Sequence, residues 1–318
     1  MPLFLVTGPD GWLGSRLVES LQAAHPGADV RGLTGDLRNP ADCVRFTDGA
    51  KDAVLFHTAG VIHPNRVREF YDVNVQGTKN LLDAARQAGV RRIVAVSSNS
   101  PFGVNPSRDH RFDESSPYNP YMNYGRSKMG MELAVKHAGH DGAIETVIVR
   151  APWFYGPGQP PRQSVFFKMI RDGKAPIVGD GNSPRSMAYV DNLALGLRLA
   201  AERAPSGGVY WIADERPYTM NEIVDTVEDL FEKEFNVPCA HKRMRLPDLA
   251  SEIALLADKA IQGAGLYNSK IHVLSEMNKT IACTVARAKA ELGYDPPVSL
   301  REGMRRSLKW CFDAGQLP

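Results

Sequence analysis

The segment from Leu3 to Gly14 limits this chain more than any other. Leu3-Phe4-Leu5-Val6 is an apolar run too short for a helix, and Leu13, Leu17 and Leu21 then recur at helical spacing. Between them lies Thr7-Gly8-Pro9-Asp10-Gly11-Trp12-Leu13-Gly14. Glycines in a strand-to-helix turn let the backbone approach a bound group closely, and the helix N-terminus offers it free N–H groups. Placed here, the pattern reads as a pyrophosphate-binding turn, with Gly8, Asp10, Gly11, Trp12, Leu13 and Gly14 as contact residues. The plainer alternative is a turn whose glycines are incidental.

The alternation continues. Asp29–Leu33, Ala53–Thr58, Ile93–Ser97 and Thr146–Val149 read as strands, with helical periodicity over Val73–Ala88 and Tyr121–Ala138. This predicts an α/β fold, a Rossmann-type doubly wound parallel sheet covered on both faces. Residues 151–185 are rich in Pro and Gly and read as loops. Beyond them, Leu193–Ala201, Met220–Phe231, Leu246–Ile261, Thr284–Leu292 and Ser299–Phe312 read as helices and Val209–Ile212 as a strand. Residues 263–275 carry no clear pattern. The expected division is a nucleotide-binding domain of residues 1–153 with 187–213, and a smaller, mostly helical substrate-binding domain of 154–186 with 214–318.

Charge narrows the partners. The 38 basic and 36 acidic residues give a net charge of +2, which argues against nucleic acid or an anionic membrane as the main partner. No apolar run is long enough to cross a bilayer, and a strand beginning at Leu3 leaves no room for a signal peptide. Cys43, Cys239, Cys283 and Cys311 are scattered without metal-ligand spacing, as expected of reduced thiols in a cytoplasmic protein. No metal site is expected, and His57 and His63 read as structural or solvent-facing.

Tyr124-Gly125-Arg126-Ser127-Lys128 puts a phenol and an ammonium on one helix face. A nearby ammonium favours the phenolate, which eases proton exchange with an alcohol. In a chain with ten tyrosines such spacing also arises by accident. Position strengthens the reading, because Val96-Ser97-Ser98-Asn99 ends the strand before it.

Together these motifs resemble the extended short-chain dehydrogenase/reductase family, including its NAD-dependent epimerase/dehydratase and 3-beta-hydroxysteroid dehydrogenase branches. The turn has that family's T-G-x-x-G-x-x-G spacing. Asp36-Leu37 matches its Asp near the adenine, His57-Thr58-Ala59-Gly60 its H-x-A-[AG] strand end, and Asp72–Thr78 its D-x-N-x-x-G-T helix. Arg150–Gly158, Arg185–Asn192 and Ala288–Tyr294 resemble stretches of extended members. The resemblance implies Ser98, Tyr124 and Lys128 as the catalytic group, with Ser97 the alternative serine. It adds Asp36, Leu37, Thr58, Ala59, Gly60, Asn74, Ser97, Tyr124, Lys128 and Pro152 to the cofactor contacts. For the substrate it implies Ser98, Asn99, Ser100, Trp153 and Arg185. It also implies a homodimer through the two long helices.

Departures sharpen the chemistry. Asn99 and Ser100 stand where sugar dehydratases and decarboxylases of the family carry acids, which discounts both activities. No acid follows the second strand, and the usual helix after it is nearly deleted, so Arg31 or Arg38 favours NADP over NAD. The expected function is interconversion of a secondary alcohol and a ketone of a small-molecule substrate. The alternative is a nucleotide-sugar 4-epimerase with tightly held NAD, for which Arg185 speaks. A cofactor-binding redox regulator without catalysis is the third reading.

Overall fold

The computed structural model describes residues 1–317. Its centre is one parallel sheet of six strands. Five are β1 (Leu3–Thr7), β2 (Asp29–Gly32), β3 (Val54–His57), β4 (Arg92–Ser98) and β5 (Glu145–Ala151), and Gly208–Trp211 is the sixth. The spatial order is β2-β1-β3-β4-β5 and then Gly208–Trp211. β3 and β4 are buried along their whole length, as strands covered on both faces must be.

Side chains alternate across the sheet with the two-residue strand period. Phe4 and Val6 of β1 pack with Leu13, Leu17 and Leu21 of helix α1 (Trp12–Ala24) on one face. Leu5 packs with Phe46, Leu81, Met131 and Val135 on the other. A separate core joins Tyr155, Phe167, Ile177, Tyr189, Val227, Leu230 and Leu308.

Four expectations need correction. The connection between the second and third strands keeps a two-turn helix, α2 (Pro40–Thr47), capped by the Asn39 side chain on Ala41 N–H. The long helix expected over 73–88 begins earlier, at Val67, and runs through a π-helical turn at Asp72–Gly77 before Thr78–Gln87. Gly77 is required there, since a Cβ would lie 2.9 Å from that of Leu37. Residues 151–185 are not all loop. Trp153–Tyr155 pairs with Met187–Tyr189, Pro176–Val178 pairs with Met244–Leu246, and Pro161–Arg171 is a helix. Finally, Leu246 ends a strand, Asp248–Gly263 is the helix, and the unassigned stretch holds a further helix, Ser269–Glu276. Among the described residues no helix is long and apolar enough to cross a membrane.

Candidate active site

A parallel sheet brings the C-terminal ends of all its strands to one edge, where ligands of such folds bind. Thr7, His57, Ser98 and Ala151 end their strands there. A cavity of about 240 Å³ at the opposite edge, lined by Phe4, His25, Phe56 and Arg92 among others, contains none of the predicted site residues.

The glycine-rich turn has the geometry that close approach demands. Gly8 takes φ +65°, and Gly11 N–H donates to Gly8 O at 3.0 Å. A Cβ on Gly14 would lie 1.9 Å from Gly8 O, and one on Gly11 3.1 Å from it. Gly11 is the N-cap of α1 and caps it with no side chain, so the first-turn N–H groups face the turn's open side. These residues fit a dinucleotide pyrophosphate. The Trp12 indole is committed elsewhere, donating to Pro157 O at 2.7 Å and packing on Phe154.

His57 is a structural clamp. Its ring bonds Thr7 Oγ1 and Thr78 Oγ1, each at 2.9 Å, and burial lowers its pKa to about 3. Thr58 Oγ1 donates to Thr7 O, and the Thr7 hydroxyl in turn accepts from Ala59 N–H. Asn74, in the π-helical turn, holds Val61 through both its N–H and its C=O and donates to Ser127 Oγ at 3.1 Å. A Cβ on Gly60 would meet Asn74 Oδ1 at 3.2 Å and Lys128 Nζ at 3.6 Å, so glycine keeps that space open. Ser97 Oγ is buried with no hydrogen-bond partner among the described residues, an orphan polar atom at the same edge.

Near the expected adenine site, Asp36 accepts from Arg38 N–H at 2.9 Å and from its guanidinium at 2.5 to 3.0 Å. Arg31 instead donates to the carbonyls of Phe46 and Asp48 at the end of α2. Only Arg38 of the two lies in the turn after β2. Leu37 is buried, its carbonyl accepting from Asn80 Nδ2.

The helix Met122–Ala138 brings Tyr124 and Lys128 to the edge. Burial raises the Tyr124 pKa to about 12, the Ser98 hydroxyl offsetting part of the rise and Glu276 adding to it. Ser98 Oγ has only long contacts, 3.3 Å from Ser100 N, 3.4 Å from Ser100 Oγ and 3.5 Å from Asn99 Oδ1. Lys128 Nζ donates to Val96 O at 2.8 Å, and burial lowers its pKa to about 8 against the pull of Glu132. The expectation that Lys128 holds the phenol down is therefore corrected. The lysine turns inward to β4, and desolvation of the phenol dominates.

Several residues here escaped the sequence reading. Glu132, one turn beyond Lys128, forms a buried ion pair with Arg150, and Tyr118 donates to Glu132 at 2.6 Å. Asn123, adjacent to Tyr124, donates to Gln262 Oε1 at 2.8 Å and accepts from Tyr71 OH. Tyr121 bonds Ser275, and Tyr267 bonds His63, whose pKa burial lowers to about 4. Arg185 Nη2 donates to Glu276 O at 2.7 Å, and its guanidinium lies 5.9 Å from the Trp153 ring. Asn99, Ser100 and the buried Pro152 flank Ser98 and Trp153 at the same edge. Of these partners, Gln262, Tyr267, Ser275 and Glu276 come from the region after Val237, where no motif announces them.

Fold and edge chemistry together define a class, and comparison with known proteins names it. The model of the NAD dependent epimerase/dehydratase family matches residues 4–213. The chain belongs to this family, within the extended short-chain dehydrogenases, and is an NAD(P)-dependent enzyme. It is 49% identical to the uncharacterised protein y4nL of Sinorhizobium fredii, over 99% of this chain and 96% of that one. It is 31% identical to 3beta-hydroxysteroid-dehydrogenase/decarboxylase isoform 1 of Arabidopsis thaliana, over 88% of this chain and 66% of the relative. It is 26% identical to N-acetyl-alpha-D-glucosaminyl-diphospho-ditrans,octacis-undecaprenol 4-epimerase of Escherichia coli O157:H7, over 97% of this chain and 95% of that one. Among solved structures it resembles gox2253 with a TM-score of 0.80 at 23% identity, covering all of both chains; that likeness is one of fold.

Proposed function

We propose that this enzyme interconverts a secondary alcohol and a ketone, with Tyr124 as the acid and base. One observation carries the reading: a phenol held protonated, with a pKa near 12, beside a serine hydroxyl that has no strong internal bond. Ser98 and Tyr124 would hold the substrate oxygen together, and Tyr124 would give it a proton as the ketone is reduced or take one as the alcohol is oxidised. Lys128, Asn74 and the space at Gly60 would hold the nicotinamide ribose, and the turn at Gly8–Gly14 the pyrophosphate. Bound NAD(P) supplies the hydride exchange. Asn99 and Ser100 put no carboxylate beside Ser98, which supports simple redox chemistry over dehydration. Segments 154–186 and 214–318 would carry the substrate.

NADP is the favoured form. No acid stands at Leu33-Thr34-Gly35, directly after β2, to meet a ribose 2′-hydroxyl, and Arg38 would face a 2′-phosphate on exchanging Asp36 for it. Arg31, bound to carbonyls, drops out of that role.

The 4-epimerase reading is favoured by Arg185, which has no carboxylate partner among the described residues and donates to the Glu276 carbonyl. Against it stands Glu276, an acid close enough to influence both Arg185 and Tyr124. Nucleotide released from the denatured protein tests the choice. Exchangeable NADPH, with turnover of a ketone, supports the reductase; stoichiometric NAD that resists dialysis would overturn it in favour of the epimerase.

A further inference from the structure

The helix Asp248–Gly263 is inside out. Its buried residues are Ser251, Ala254, Asp258 and Gln262, while Leu249, Ile253 and Leu256 are 63%, 58% and 66% exposed. A surface helix normally buries its apolar stripe. Rotation cannot correct this one, because every polar group on the buried face is used. Ser251 Oγ donates to Leu274 O at 2.7 Å, and Asp258 accepts from Gln262 and pairs with His272 at 2.8 Å. Gln262 in turn accepts from Asn123, beside Tyr124. The adjoining helix Ser269–Glu276 repeats the inversion, with His272 and Ser275 buried and Val273 exposed. Leu266, between the two helices, is exposed as well.

From this surface we infer that the helix Asp248–Gly263 docks the enzyme on an anionic lipid bilayer, lying in the interface with Leu249, Ile253 and Leu256 among the acyl chains. Charge selects this occupant. Of the acids bordering the face, Glu252 is neutralised by Lys279, while Asp248 accepts from the neutral Asn278 amide and keeps its charge, leaving one acid against three unpaired cations. The exposed cations Lys259, Lys270 and Arg66 have no ion-pair partner among the described residues, and Arg66 bridges to Leu266 at the edge of the apolar face. An apolar stripe rimmed by free cations is the pattern of an interfacial helix on anionic lipid. The overall charge of +2 does not reveal this local arrangement.

The inference is independent of the reaction assigned to Tyr124. Its test is co-sedimentation of the full chain with vesicles of phosphatidylcholine alone and of phosphatidylcholine mixed with phosphatidylglycerol. The wild type is expected to sediment with the mixed vesicles, and less at high salt. The triple variant Leu249→Ser, Ile253→Ser, Leu256→Ser should lose about tenfold in binding while keeping its circular dichroism and melting temperature. The pair Lys259→Glu and Lys270→Glu should remove the preference for anionic lipid. A wild type that stays in solution with both vesicles overturns the inference, as does a triple variant that binds equally well. Self-association of the wild type that the triple variant abolishes, with no vesicle binding, overturns it in favour of a second copy on this face.

Discussion

Replacing Lys128 by Met separates the chemical use of this lysine from the energetic cost of burying it. Lys128 is 6% exposed, and desolvation brings its pKa from 10.5 to about 8. Holding the ammonium in place at neutral pH therefore costs ~3 kcal/mol relative to an exposed lysine. Methionine removes that cost but gives up the bond to the Val96 carbonyl, worth ~1 kcal/mol. The variant should be more stable by ~2 kcal/mol at pH 7, which in a chain of this size raises Tm by roughly 3 °C. The folded pKa lies below the unfolded one, so the unfolded state binds more protons between the two values. Wild-type stability accordingly rises with pH from about 8 to 10.5, and the gap to the variant closes across that window. Scanning fluorimetry without nucleotide, at pH 7 and again near the upper end of the window, reads both effects, while turnover is lost in the variant. A variant that melts below the wild type at pH 7, or a gap that pH does not change, refutes the reasoning.

Other consequences are as direct. Gly11→Val should leave the fold intact but weaken NADPH binding at least ~100-fold by filling the turn against the pyrophosphate, read by fluorescence titration. Unchanged affinity would remove the turn from the cofactor site. Arg185→Ala should leave UDP affinity unchanged by calorimetry, whereas a loss of binding would support the epimerase. Gln262→Leu strips Asn123 and Asp258 of a buried partner and should cost ~2 kcal/mol by urea unfolding, with turnover falling more than NADPH affinity. Tyr124 stays protonated far above neutrality, so alcohol oxidation should rise roughly tenfold per pH unit between about pH 6 and pH 9 while ketone reduction stays nearly flat. An oxidation profile flat over that range would contradict the assigned base.

The legible parts of the molecule are those whose chemistry is local. Leu3–Val6 ending in a glycine turn fixed the first strand and helix, and the i, i+4 spacing of Tyr124 and Lys128 fixed their common face. What the sequence concealed depends on distant partners. Phe167 and Ile170 sit at helical spacing among prolines and glycines, so Pro161–Arg171 read as loop. The Asp248–Gly263 helix showed its period but not its orientation, since apolar periodicity is read as a buried face and here the polar residues are buried. The Tyr124 environment was misjudged for a related reason. Spacing on a helix says that Lys128 lies near, but not that its ammonium turns to Val96 or that the phenol is desolvated.

The central claim is that Tyr124 moves the proton in an NAD(P)-dependent alcohol–ketone reaction. The most direct measurement is Tyr124→Phe assayed in parallel for NADPH affinity and for turnover of a panel of ketones that the wild type reduces. The account predicts affinity within about twofold of wild type and turnover reduced by at least ~100-fold. Wild-type turnover by the variant would contradict it.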